Sequence, residues 1–172
     1  MVAAASWAEP AFAAVVVIWF LLGWLRNRRQ DRLGAIMAIM AAAGALLANQ
    51  VISHLWARPR PFAVHPSTVH LLLGHSKDAS FPSDHAAAAF AIGLVLISFH
   101  HRLGAVALAF AALMSYARVY VGDHYPGDVA AGALVGLLAS ALVLTWLRPL
   151  AASLERLADR ALAVVWLPQP SR

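Results

Sequence analysis

The run Val129-Ala-Ala-Gly-Ala-Leu-Val-Gly-Leu-Leu-Ala-Ser-Ala-Leu-Val-Leu-Thr-Trp-Leu147 carries no charged side chain. A helix that crosses the hydrocarbon core of a bilayer needs about 20 apolar residues, and this run satisfies that alone. Leu33–Ala57 does so too. Three shorter uncharged runs accompany them: Pro10–Leu25, the stretch that follows His85 and ends at Phe99, and Leu103–Ala117. The last two reach spanning length only when His85 and Arg118 lie within the membrane. Ionisable residues at that depth are rare and usually functional.

Composition agrees with several spans. Of 172 residues, 62% are hydrophobic and 12% charged, against roughly 45–50% and about 25% in an average soluble domain. Mean hydropathy is +0.71. Disorder is excluded, because apolar residues dominate. A soluble body this small could not hide so much apolar surface. The expected fold is all-α, a polytopic membrane helical bundle with five to six transmembrane helices, forming a single integral membrane domain over residues 1–172. Segment 149–172 is the ambiguous part. Its Leu150–Leu167 stretch alternates apolar positions with Glu155, Arg156, Asp159 and Arg160. It reads as an amphipathic helix or a partial sixth span. The N-terminus does not read as a secretory signal, because its positive cluster follows the apolar run.

The formal net charge is +5, and its placement matters more than its size. Arg26, Arg28, Arg29 and Arg32 fill the first loop, His100, His101 and Arg102 the third, and Arg148, Arg156 and Arg160 follow the fifth span. Alternating spans put all three groups on one face, which the positive-inside rule makes cytoplasmic. The expected partner is therefore the bilayer and not nucleic acid. The expected location is the cytoplasmic (inner) membrane. Cysteine is absent, so no disulfide or thiolate metal site is expected.

Three polar islands remain, and all fall at the outer ends of spans. The first is Arg58-Pro-Arg60-Pro61. Its prolines end the second span, leaving Arg58 and Arg60 either to snorkel or to clamp a phosphate. The second is Pro82-Ser83-Asp84-His85. Ser83 reads as an N-cap, and the free amides of the following turn form an anion site. The third joins Arg118 to His124-Tyr-Pro-Gly-Asp128. Pro126 suits a first helical turn. Asp128, four residues after His124, can reach back to the imidazole and fix its tautomer. A metal set of His85, His124, Asp128 and Asp84 is the alternative. It accounts for the histidines, but the arginines would repel a cation. No metal and no cofactor are expected.

In Arg60-Pro61, Pro82-Ser83-Asp84-His85 and Arg118-x5-His124-x3-Asp128 the chain resembles the type 2 phosphatidic acid phosphatase superfamily, whose signature is K-x6-R-P, P-S-G-H and S-R-x5-H-x3-D. The stretches Ser80–Ala86 and Arg118–Pro126 look most like its bacitracin-resistance branch, the undecaprenyl-diphosphate phosphatases. There are three departures: Ser53 holds the lysine position, with Arg58 or His54 as possible stand-ins, Asp84 holds the glycine position, and Ala117 the serine position. The resemblance implies a phosphohydrolase acting on a polyprenyl or phospholipid phosphate at the outer face. His124 would attack phosphorus, Asp128 orient it, and His85 protonate the leaving oxygen. Arg60, Arg118, Ser83, Asp84 and Arg58 would surround the phosphate. The same features leave two other readings open: a phosphatase for phosphatidylglycerol phosphate, phosphatidate or another polyprenyl phosphate, or a transporter that binds without cutting. Oligomeric state is left open, including a homo-oligomer.

Overall fold

The computed structural model describes residues 2–69 and 78–165. Its elements are α1 (Val2–Leu25), α2 (Arg29–Leu55), α3 (Pro61–Val64), α4 (Asp84–Phe99), α5 (His101–Tyr120), α6 (Pro126–Thr145) and α7 (Arg148–Val165). The fold is an all-α membrane bundle. Helices α2, α5 and α6 are each long and apolar enough to cross a bilayer, and Pro10–Leu25 and Asp84–Phe99 are shorter apolar helices beside them.

The helices run past the uncharged stretches at their polar ends. Helix α5 continues through Arg118 to Tyr120, and α6 starts at Pro126, so that Asp128 lies in its first turn. Helix α4 starts at Asp84, capped by Ser83, whose hydroxyl accepts from the Ala86 amide. His85 and Arg118 thus lie on the helices whose lengths required them. Helix α1 extends well before Pro10. Apolarity marks what lipid can cover, whereas a helix stops only where its backbone is capped or broken.

Packing is inverted relative to a soluble protein. Buried positions are mostly small: Ala35, Ala38, Ala41 and Ala45 on α2, and Ala86, Ala87, Ala89 and Ala91 on α4. Many large apolar side chains face outward, among them Leu47, Val51, Val106, Leu134 and Leu138, while Phe12, Trp19, Met37 and Met114 are buried. Between helices already in lipid there is little hydrophobic driving force, so close backbone approach through small residues holds them together. Helix α4 is the hub, packed against α1, α2, α5 and α6. Its seam with α6 sets Gly132, Gly136 and Ser140 against Ser83, Ala87 and Ala91. A Cβ built on Gly132 would fall 2.3 Å from the Ser83 carbonyl oxygen, and one on Gly136 2.2 Å from that of Ala87. The Ser140 hydroxyl donates to the Ala91 carbonyl at 2.9 Å. The seam brings the starts of α4 and α6 together, with the Ser83 amide donating to the Asp128 carbonyl at 3.0 Å.

The arginine-rich end of the bundle is tied separately. Glu155 of α7 is buried and accepts from Arg29 at 3.1 Å and Arg32 at 3.0 Å. Arg32 also reaches Asp159 at 3.6 Å. His100, expected as a plain loop residue, instead links the α4–α5 junction to α2, its Nε2 lying 2.7 Å from Asp31 Oδ1. Trp19 stands edge-on to its ring. His70, His75 and the Leu71–Leu73 stretch, which the sequence leaves as outer-loop or lid elements, lie outside the described residues.

Candidate active site

At the opposite end of the bundle, the 55–61 segment, the α4 start, the α5 end and the α6 start converge. Arg60 precedes α3, fixed in an extended conformation by the proline that follows it. Its guanidinium is buried. Nη1 donates to Asp123 Oδ1 at 2.6 Å and to the Asp123 carbonyl at 3.2 Å, while Nε donates to the Asp78 carbonyl at 3.2 Å and Nη2 to Asp78 Oδ1 at 3.1 Å. Arg118, in the last turn of α5, is equally buried and pairs through Nη2 with Asp123 Oδ2. Two guanidinia from distant parts of the sequence thus face one carboxylate.

His124 is buried beside them. Its Nδ1 lies 2.8 Å from the carbonyl oxygen of Ser80. A carbonyl can only accept, so Nδ1 carries a proton, and in the neutral ring the lone pair is on Nε2. Nε2 faces Arg60 Nη1 at 3.4 Å and Asp123 Oδ2 at 3.5 Å. The imidazole is held at one nitrogen and turned toward Arg60 and Asp123 with the other.

Asp128 does not hold the ring as the four-residue spacing predicts. Its Oδ2 lies 3.9 Å from His124 Nδ1, beyond a hydrogen bond. Ser80 stands between them. Its hydroxyl donates to Asp128 Oδ2 at 2.5 Å and lies 3.4 Å from Nδ1. The backbone carbonyl of Ser80 therefore orients the histidine directly, and Asp128 acts on it through Ser80 and through its charge. Asp128, fully buried, also accepts from the Tyr125 amide at 2.9 Å and from Arg58 Nη1 at 3.0 Å.

That last contact reassigns Arg58. Its guanidinium lies 3.9 Å over the Tyr125 ring and pairs with Asp128, away from the two-arginine clamp. Neither stand-in for the missing lysine reaches the clamp. Ser53 and His54 both bond back to the Gln50 carbonyl in the last turn of α2, at 3.0 and 2.7 Å. The Asp84 carboxylate likewise turns away, accepting from Asn49 Nδ2 at 2.8 Å, so only its backbone amide is left to face a phosphate. Ser83 keeps its capping place. Its hydroxyl serves the Ala86 amide. Of the alternative metal set, Asp84 is held by Asn49 and Asp128 by Ser80, Tyr125 and Arg58, and no cluster of three or more His, Cys, Asp or Glu occurs among the described residues.

His85 is in the first turn of α4. With Asp84 it lines one end of a cavity of about 350 Å³ whose other walls include Phe12, Leu46, Ile92 and Met114. A larger cavity of about 410 Å³ lies between α1 and α5 near Arg26 and His100, and neither cavity is lined by Arg60, Arg118, Asp123 or His124.

The sequence reasoning missed two residues of this centre, Ser80 and Asp123. Each had a signal. Ser80 starts the same short stretch as Ser83 and His85, and Asp123 is a charged residue directly before His124, at the end of a largely apolar turn.

Comparison with known proteins places this geometry. The bacitracin transport permease protein BcrC of Bacillus licheniformis is 39% identical over 143 residues, covering 80% of this chain and 70% of that protein. The undecaprenyl-diphosphatase BcrC of Bacillus subtilis (strain 168) is 35% identical over 130 residues, covering 76% and 66%. The crystal structure of Aquifex aeolicus LpxE superposes with a TM-score of 0.62 at 30% identity, over 80% of this chain and 83% of that one. The family pattern itself extends over residues 32–151, from α2 into α7 and through every residue of the clamp, and by that match the chain belongs to the PAP2 superfamily.

Proposed function

We propose that this protein is an integral membrane lipid-phosphate phosphatase that hydrolyses undecaprenyl diphosphate to undecaprenyl phosphate and inorganic phosphate. The observation that carries the reading is the His124 imidazole. Its Nδ1 is held by the Ser80 carbonyl, and its Nε2 faces buried Arg60 and the Asp123 carboxylate that pairs with buried Arg118. A protein that only binds and carries a phosphate needs the arginines but not an oriented nucleophile. This favours hydrolysis, although one BcrC relative is named a transport permease and the other a diphosphatase.

In the proposed reaction Nε2 attacks the terminal phosphorus and the bond to the bridging oxygen breaks. Protonated His85 gives its proton to that leaving oxygen, releasing the lipid monophosphate. A water, deprotonated by His85, then cleaves the phosphorus–nitrogen bond, which releases phosphate and restores both histidines. Arg60 and Arg118 take the equatorial oxygens, where charge gathers in a loose transition state. The backbone amide of Asp84, at the start of α4, adds a donor. The cavity beyond His85 is walled by apolar side chains from α1, α2, α4 and α5. It supports a substrate whose head is a phosphate and whose body is hydrocarbon.

The positive-inside rule supports a site facing the outside of the cytoplasmic membrane. Recycling the lipid carrier there would lower sensitivity to bacitracin, which binds the diphosphate. The test is phosphate release by the purified protein in detergent from undecaprenyl diphosphate, phosphatidate and phosphatidylglycerol phosphate, with EDTA present. Release fastest from undecaprenyl diphosphate and abolished in His124→Ala supports the proposal. A folded protein that releases phosphate from none of them overturns it and brings forward the carrier reading.

A further inference from the structure

The proposed reaction gives no role to Asp123, yet no side chain is better placed in the site. Its carboxylate is buried, and its two oxygens are divided between the two clamp arginines, Oδ1 on Arg60 and Oδ2 on Arg118. Oδ2 is also 3.5 Å from His124 Nε2. A phosphoryl group awaiting attack must likewise set its oxygens on the two guanidinia, with its phosphorus toward the same nitrogen. The carboxylate and the phosphoryl group need the same space and the same donors.

We propose that Asp123 is an internal occupant of the phosphate subsite. It neutralises the paired arginines at rest, leaves by side-chain rotation when the lipid diphosphate enters, and returns to help expel the phosphate product. This rests on the phosphatase reading of the same site.

The backbone makes rotation the available movement. The Asp123 amide donates to the Arg118 carbonyl at 3.2 Å and the Asp123 carbonyl accepts from Arg60 at 3.2 Å. The main chain thus stays fixed to both arms of the clamp while the carboxylate swings. Gly122, at φ +79°, makes the turn that places it there. A resting counterion solves an electrostatic problem, since two buried guanidinia side by side repel and a buried charge without a partner is costly. It also sets the order of affinities. A lipid diphosphate brings hydrocarbon burial with its charge and can displace the carboxylate. Free phosphate brings only charge and competes poorly, so product inhibition stays weak.

The experiment measures binding of inorganic phosphate, and separately of orthovanadate, by calorimetric titration of the purified protein and its Asp123→Asn variant in detergent. The amide keeps the shape and removes the charge. Hydrogen bonds to a charged partner are worth enough that the variant should bind phosphate roughly 10- to 100-fold more tightly. Its KM for the lipid diphosphate should fall and product inhibition should strengthen. Asp123→Glu should restore weak phosphate binding. If Asp123 only holds the arginines in place, its loss lets them splay and weakens phosphate binding. Unchanged or weaker binding in Asp123→Asn, with wild-type lipid phosphatase activity present, overturns this proposal alone. Should Asp123→Asn fail to fold, Asp123→Ser, smaller and also neutral, carries the same expectation and the same refutation. Absence of phosphate binding by all these proteins, together with absence of lipid hydrolysis, overturns both this and the phosphatase reading.

Discussion

Replacing Gly132 by alanine adds one methyl group where α6 meets the first residues of α4. That methyl would lie 2.3 Å from the Ser83 carbonyl oxygen, 3.1 Å from its carbon and 3.2 Å from the Ala86 Cβ. The nearest obstacle is backbone, so no rotamer change relieves the clash. Restoring ordinary contact at about 3.4 Å requires the helices to part locally by roughly 1 Å. The Ser83 amide now donates to the Asp128 carbonyl at 3.0 Å, and a separation of that size breaks the bond. Overpacking of this kind costs about 1–3 kcal/mol. The effect on rate should be larger, because a misplacement of about 1 Å in a catalytic group costs on the order of 100-fold. Ser83 and His85 move on α4 while Asp128 stays on α6. Melting temperature in detergent and kcat on undecaprenyl diphosphate separate the two effects. Gly136→Ala meets the same obstacle at 2.2 Å one turn farther from the site, so it should lose similar stability and less activity. Gly44→Ala meets nothing within 4 Å and should be neutral or gain about 0.5–1 kcal/mol. Gly132→Ala with wild-type melting and wild-type kcat would refute the reasoning, as would a Gly44→Ala protein that is equally impaired.

Three further outcomes are expected. Ser80→Ala removes the hydroxyl between Asp128 and His124 but keeps the carbonyl that orients the ring, so kcat should drop roughly tenfold, as for loss of one hydrogen bond to a charged group, with KM nearly unchanged; unchanged kcat would assign the orientation to the carbonyl alone. Glu155→Ala leaves Arg32 buried with only the weaker Asp159 contact; unfolding should become easier by about 3 kcal/mol, while activity per folded molecule stays the same, and an unaltered melting temperature would show that α7 is not anchored there. The rate should follow a bell-shaped pH profile, because His124 must be unprotonated at Nε2 to attack and His85 protonated to donate; a rate that stays flat from acid to alkaline pH removes one of these roles.

The fold was legible wherever lipid sets the rule. Uncharged runs report hydrocarbon contact, so all five apolar helices could be read from residue type. Their ends were less visible, since helicity continues past the last apolar residue until something caps it, as Arg118–Tyr120 and Pro126–Asp128 show. The candidate site residues Arg60, Arg118, His85, His124 and Asp128 stood out in the sequence because ionisable side chains are rare at membrane depth. What stayed hidden depended on direction. Sequence spacing places Asp128 one turn from His124, but it cannot reveal that a backbone carbonyl 44 residues away accepts the imidazole hydrogen bond. Nor can it reveal that Arg58 turns to Asp128 and Tyr125, while Asp84 turns to Asn49.

The direction of these side chains gives the sequence departures a common meaning. Where the family pattern has lysine this chain has Ser53, and where it has glycine it has Asp84. Each change makes the surroundings of the clamp less positive, and Asp123 takes both guanidinia for itself. Coulomb attraction to a phosphate is correspondingly reduced, and in a low-dielectric site that reduction is large. Binding must then come from elsewhere, and the apolar cavity beside His85 is the source the fold provides. A lipid phosphate offers hydrocarbon as well as charge, so under the proposed reaction a clamp that Asp123 neutralises at rest would favour it over a soluble phosphate.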